Sequence, residues 1–143
     1  MVRNTYKVLI ADDDKTLMGI ECAFIKKYMQ HKHVDCSITR KDESFPALFE
    51  LCDHGDTYDL IILDSQMPNI NGEDILSSLL HLENNYLNHI VFITADPEPV
   101  QKRFPNRNLH ILKKPFSYKD FKSLADKVLS PFGNEKSYTA LAV

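Results

Sequence analysis

Five short apolar runs punctuate the chain, at residues 6–11, 34–38, 60–63, 90–93 and 109–112. Two of them, L-I-I-L and I-V-F-I, are apolar without interruption. That is the pattern of buried parallel strands with helices on both sheet faces, and all five runs read as such strands. Between them the period becomes helical. Leu17, Ile20, Phe24 and Tyr28 recur at helical spacing behind Asp14, whose side chain is suited to capping. A second helix starts at Ser44 and carries Leu48, Leu51 and Cys52; a third follows Gly72 with Ile75, Leu76, Leu79 and Leu80. The last opens on Ser117 and Asp120 as a capping pair, presents Phe121, Leu124, Ala125 and Val128, and should end at Pro131 and Gly133.

Strand and helix alternating in this way predict an α/β domain with a doubly wound parallel sheet. The domain should span residues 4–130, with 131–143 a C-terminal tail or linker. The fourth helix is the irregular member. Pro97, Pro99 and Pro105 crowd its segment, and proline breaks a helix interior at a cost of about 3 kcal/mol. One or two turns fit between them, so this helix should be short, irregular or mobile.

At 143 residues, 43% hydrophobic and 26% charged, the chain has enough material for one ordinary core. No run approaches the roughly 20 apolar residues of a membrane-spanning helix, and residues 1–7 lack the apolar centre of a secretory leader. A cytoplasmic location is the default expectation. Cys22, Cys36 and Cys52 are odd in number and widely spaced, which suits buried reduced thiols better than disulfides or zinc. His31 and His33 lack the neighbours of a metal site and read as a solvated loop. The net charge of −3 hides an asymmetry. Residues 97–130 hold eight Lys or Arg against three Asp or Glu, a balance of +5 that leaves −8 for the remainder. Without a recognition motif this reads as solvated helix faces around a functional lysine, and no nucleic acid binding is expected.

In doubly wound sheets, ligands sit beyond the carboxyl ends of the strands. Asp12, Asp13 and Asp14 follow the first strand, Asp64 the third, Thr94 and Ala95 the fourth, and Lys113, Lys114 and Pro115 the fifth. The second strand contributes only Ser37 and Thr39, as an edge strand outside the site would. Clustered carboxylates repel unless a cation joins them, and a hard divalent ion such as Mg²⁺ suits oxygen ligands. Such an ion would let an anionic nucleophile approach an anionic phosphoryl donor. Lys114 and Thr94 have the chemistry to hold the remaining phosphoryl oxygens, alongside backbone N–H groups. Asp14 is better placed as a helix cap.

These motifs resemble the response-regulator receiver domains of two-component phosphorelays. The resemblance covers about residues 5–130 and rests on four motifs in order: V-L-I-A-D-D-D, L-I-I-L-D-S-Q-M-P-N-I-N-G, I-V-F-I-T-A and K-P-F. It implies a flavodoxin-like (βα)5 fold with strand order 2-1-3-4-5. Asp64 would be the phosphorylated residue. Asp12, Asp13, Asp64 and the Gln66 carbonyl would bind Mg²⁺ (or Mn²⁺). Thr94 would be the switch hydroxyl with Ala95 beside it, Lys114 the phosphate-binding lysine, and Pro115 would follow through a cis bond. Gln66 and Asp96 would tune phosphoryl lifetime. The implied partners are a sensor histidine kinase or a histidine phosphotransfer protein, with the downstream protein or output domain open. Such a domain assists its own phosphorylation and dephosphorylation without being an enzyme. One position departs from the family, where an aromatic or His usually stands three residues before the lysine. Here it is Ile111, and His110 should face the other side of the strand.

Two other readings share these residues. D-D-D-K-T-L also resembles the first motif of haloacid-dehalogenase-type phosphatases, with Asp12 as nucleophile and Asp14 as acid/base. That reading lacks its later acidic pair and leaves Asp64 unexplained. A pseudo-receiver, keeping the fold as a binding module without phosphorylation, is favoured only by Ile111. Stand-alone receiver and segment of a longer regulator or hybrid kinase are both compatible with the sequence.

Overall fold

A computed structural model of the chain describes residues 5–81 and 86–141, with side chains through Leu129. Residue 4, where the sequence places the start of the domain, and residues 142–143 of the proposed tail lie outside the described residues.

Five strands form one parallel sheet: β1 (Thr5–Ala11), β2 (Asp35–Lys41), β3 (Leu60–Asp64), β4 (Ile90–Thr94) and β5 (His110–Lys113). Their order is β2-β1-β3-β4-β5, the flavodoxin-like order 2-1-3-4-5. The helices are α1 (Lys15–His31), α2 (Ser44–His54), α3 (Gly72–Leu79), α4 (Pro97–Arg103) and α5 (Tyr118–Leu141).

Strand alternation divides the core in two. Val8, Ile10, Leu60, Ile62 and Ile93 point to one face, where α1 and α5 cover them with Ile25, Met29, Phe121 and Val128. Leu9, Ile61, Leu63 and Phe92 point to the other, against Leu51 of α2, Ile75 and Leu79 of α3, and Val100 of α4. All five residues of β3 and of β4 are buried, as their unbroken apolar runs require. β2 differs from the expectation of a buried strand. It is a half-exposed edge strand and runs three residues further, to Lys41, because β1 pairs with it from Thr5↔Asp35 to Ala11↔Lys41. Backbone pairing at an edge needs no apolar side chain, so Thr39, Arg40 and Lys41 gave no signal.

Capping follows the sequence closely. Asp14 Oδ1 accepts the Leu17 N–H at 3.1 Å. Ser117 Oγ accepts the Asp120 N–H at 3.1 Å, and the Asp120 carboxylate accepts the Ser117 N–H at 3.0 Å. α4 spans seven residues, about two turns, with Asp96 as cap and Pro97 in its first turn. It is short, as its prolines dictate.

Four expectations are corrected. The buried stripe of α1 is Met18, Glu21, Cys22, Ile25, Tyr28 and Met29, whereas Ile20 is 43% exposed. Leu17 and Phe24 pack against the margin of this core and Tyr28 belongs to it, so of the four predicted residues only Ile20 falls outside. Cys52 is exposed and Cys36 half-buried, so only Cys22 is a buried thiol, although all three are free. β5 is shifted by one residue, from His110 to Lys113. Finally, α5 continues past Pro131 and Gly133 to Leu141. Those residues weaken a helix without being obligatory stops.

Among the described residues, no helix is long and apolar enough to cross a membrane.

Candidate functional site

Parallel strands deliver their carboxyl ends to one edge of the sheet, and the polar residues that follow them meet there. Asp12 lies directly beyond β1 and is fully buried, with its N–H held by the Lys41 carbonyl at 3.0 Å. Its Oδ1 accepts the Asp14 N–H at 2.9 Å, while its buried Oδ2 has no donor. Asp13 is exposed. Asp64 ends β3 and is buried; its Oδ1 accepts the Gln66 N–H at 3.1 Å and the Lys114 ammonium at 3.2 Å. Oxygens of Asp12, Asp13 and Asp64 come within 4.8 Å of one another.

Thr94 ends β4 and is buried. Its hydroxyl donates to the Asp96 carbonyl and accepts the Asp96 N–H, both at 3.1 Å. Asp96 in turn caps α4 through Glu98 N–H at 3.2 Å. Lys114 is anchored by its backbone, whose N–H donates to the Thr94 carbonyl at 2.8 Å, and the Lys114–Pro115 bond is cis. Ala95 is exposed beside Thr94, and Lys113 points to solvent. An open cleft of about 600 Å³ runs along this edge, lined by Gln66, Met67, Glu73, Thr94 and Asp96 among others. Thus Asp12, Asp13, Asp64, Gln66, Thr94 and Lys114 converge, whereas Asp14 is a cap.

The electrostatics are those of an acidic site short of positive charge. Burial pushes the Asp12 carboxyl up to about 6; the Asp64 charge adds to the shift, and the Asp14 N–H opposes it. The donor-less Oδ2 of Asp12 and the three adjacent carboxylates suit a hard divalent cation. Behind them lies a residue that the sequence reading missed. Glu21 on α1 is fully buried, both its carboxyl oxygens lack a donor, and it faces Asp12. Burial, reinforced by Asp12, pushes its carboxyl up to about 10. The signal was available: Glu21 stands three residues after Met18 and four before Ile25, within the apolar stripe.

Ile111 packs with the α2–α3–α4 side of the core, and His110 lies on the opposite face. There, burial and the Lys127 charge hold its imidazole below the usual range.

Comparison with known proteins gives this arrangement its family. The sequence model described as response regulator receiver domain matches residues 8–126. The chain belongs to the response regulator receiver domain family. It is a signalling domain of two-component systems, and its fold is that of solved receivers. A receiver domain protein from Clostridium thermocellum superposes with a TM-score of 0.71 at 15% identity, covering 90% of this chain and 97% of that one. The receiver domain of a sensor histidine kinase from Pseudomonas aeruginosa PAO1, with a magnesium ion coordinated in its active-site cleft, gives 0.71 at 16% identity, covering 88% and 98%. Response regulator ArlR of Staphylococcus saprophyticus is 32% identical over 96 residues, 67% of this receiver. The chain spans only 39% of the length of that relative.

Proposed function

We propose that this receiver accepts a phosphoryl group on the Asp64 carboxylate, from the phosphohistidine of a sensor histidine kinase or histidine phosphotransfer protein. The observation that carries the reading is the position of Asp64. Its buried carboxylate has the Lys114 ammonium 3.2 Å away and carboxylate oxygens of Asp12 and Asp13 within 4.8 Å. An Asp64 oxygen attacks phosphorus, the phosphorus–nitrogen bond of the donor breaks, and the released imidazole takes up a proton. Lys114 meets the incoming negative charge, the Gln66 N–H fixes the carboxylate, and the Thr94 hydroxyl, at the end of the neighbouring strand, would exchange its Asp96 partner for a phosphoryl oxygen.

Asp12, Asp13, Asp64 and the Gln66 carbonyl would hold Mg²⁺, or Mn²⁺ in its place. The ion supplies charge neutralisation for a transfer that needs positioning more than covalent help. Gln66 and Asp96 flank the acceptor and the switch hydroxyl, where they would set how long the acyl phosphate lasts. Ala95 would lend its backbone N–H. In this role the domain is a switch that promotes its own phosphorylation and dephosphorylation, without turnover of an independent substrate. The phosphatase reading, with Asp12 as nucleophile, leaves Asp64 and its contact with the Lys114 ammonium without a role.

The test is intact-mass and peptide mass spectrometry after incubation with acetyl phosphate and Mg²⁺. One phosphoryl group on Asp64, lost with chelator and in Asp64→Asn, is the expected result. A group on Asp12, or none at saturating Mg²⁺, would overturn the reading.

A further inference from the structure

Helix α2 begins without a cap from its own sequence: Glu43 at the cap position makes no side-chain bond to the helix. A serine in the first turn would ordinarily satisfy nearby backbone donors. Ser44 does something else. Its hydroxyl, only 1% exposed, donates to the Pro68 carbonyl at 2.8 Å across 24 residues of sequence and lies 3.4 Å from the Ile70 N–H as acceptor.

Pro68 and Ile70 belong to the loop that carries Asp64 into α3. The base of that loop is closed by the Gly72 N–H on the Ser65 carbonyl at 3.3 Å. Met67 is buried in the core, and Asn69 turns the chain with a φ of 73°, a left-handed conformation that costs a non-glycine residue energy. Such a turn persists where its surroundings hold it. Ser44 supplies the hold at the tip, and at the near end the Gln66 N–H rests on Asp64 Oδ1 at 3.1 Å.

We propose that Ser44 is a positioning residue for Asp64: its buried hydroxyl clasps the tip of the loop and so keeps the Gln66 N–H on the acceptor carboxylate. The proposal builds on the reading of Asp64 as phosphoacceptor. Ser44 touches no reacting atom. It acts through the loop backbone, which would also carry the Gln66 carbonyl toward the cation.

Ser44→Ala and Ser44→Gly remove the hydroxyl, and Ser44→Thr keeps it. Two quantities are compared with wild type well below each melting temperature: the amide exchange rate of Gln66 and Ile70, and the initial rate of Asp64 labelling by acetyl phosphate at saturating Mg²⁺. Loss of the hydroxyl should speed exchange at both amides and slow labelling by about tenfold, the scale of a small misplacement of a reacting group. Ser44→Thr should restore both. If the hydroxyl-less variants melt lower but label and exchange at Gln66 within about twofold of wild type, the serine only satisfies buried backbone and the proposal fails. Failure of wild type to be labelled would instead strike the phosphoacceptor reading. Gln66 exchange, which needs no phosphorylation, would still decide whether the clasp holds the loop.

Discussion

The Lys114 ammonium lies 3.2 Å from Asp64 Oδ1, in a pair whose carboxylate is 3% exposed and whose ammonium is 27% exposed. It is the cation placed to neutralise one of three clustered carboxylates. The same charge that helps capture a phosphoryl group opposes a divalent ion beside it. Replacing Lys114 by Ala should therefore separate two properties. Phosphoryl labelling of Asp64 should fall by roughly 100-fold or more, the scale of losing one preorganised charge at a transfer site. Mg²⁺ affinity, measured by calorimetry, should rise several-fold because a like charge is gone. Labelling at the wild-type rate would refute the role given to Lys114.

Glu21 should make the metal-free protein less stable than its core allows. Its carboxyl is raised from 4.5 to about 10 in the folded chain by burial and by Asp12. The folded state thus binds a proton that the unfolded state releases above pH 4.5, so this group penalises folding increasingly as pH rises. At pH 7 the penalty is on the order of 3 kcal/mol. Glu21→Leu should raise urea-unfolding stability by that order at pH 7, and the gain should shrink towards zero near pH 4. An equal gain at both pH values would mean that packing, not ionisation, is responsible.

Gly72 is where α3 touches the acceptor. A Cβ there would lie 2.6 Å from the Asp64 carbonyl oxygen and 3.2 Å from the Ser65 Cα, both backbone atoms that cannot swing aside. Gly72→Ala should cost about 1–3 kcal/mol by overpacking and lower the melting temperature by roughly 5–10 °C. Labelling of Asp64 should slow as well, since the displaced atoms carry the acceptor. A calorimetric melting temperature unchanged from wild type would contradict the contact.

Arg103 ties α4 to α3. Its guanidinium donates to Asp74 Oδ1 at 2.8 Å, while Asp74 Oδ2 accepts the Asn71 N–H at 3.2 Å in the capping box of α3. Both side chains of the ion pair are more than a third exposed, so global stability should change by less than about 1 kcal/mol in Arg103→Ala. α4 buries only Val100, so amide exchange across Pro97–Arg103 should accelerate several-fold. A large global loss without local acceleration would show the ion pair to be structural rather than a tether of α4.

The continuous runs L-I-I-L and I-V-F-I announced β3 and β4, because a strand covered on both faces must be apolar at every position. Asp64, Thr94 and Lys114 were legible for a related reason: each follows such a run directly, and parallel strands bring their carboxyl ends together. The length of β2 was not legible, since its last residues are held by pairing with β1. Nor was the continuation of α5 through Pro131 and Gly133, where local propensity pointed to a stop.

What the sequence by itself determined is the alternation of elements, the order of the polar residues at their ends, the capping residues Asp14, Ser117 and Asp120, and the brevity of α4. Those are local properties, set by periodicity, side-chain oxygens and proline. Tertiary structure alone decided that Glu21 stands against Asp12, and that Ser44 reaches Pro68 instead of capping its own helix. These are contacts between residues far apart in the chain. No local pattern encodes their distance, because it depends on how whole helices settle on the sheet.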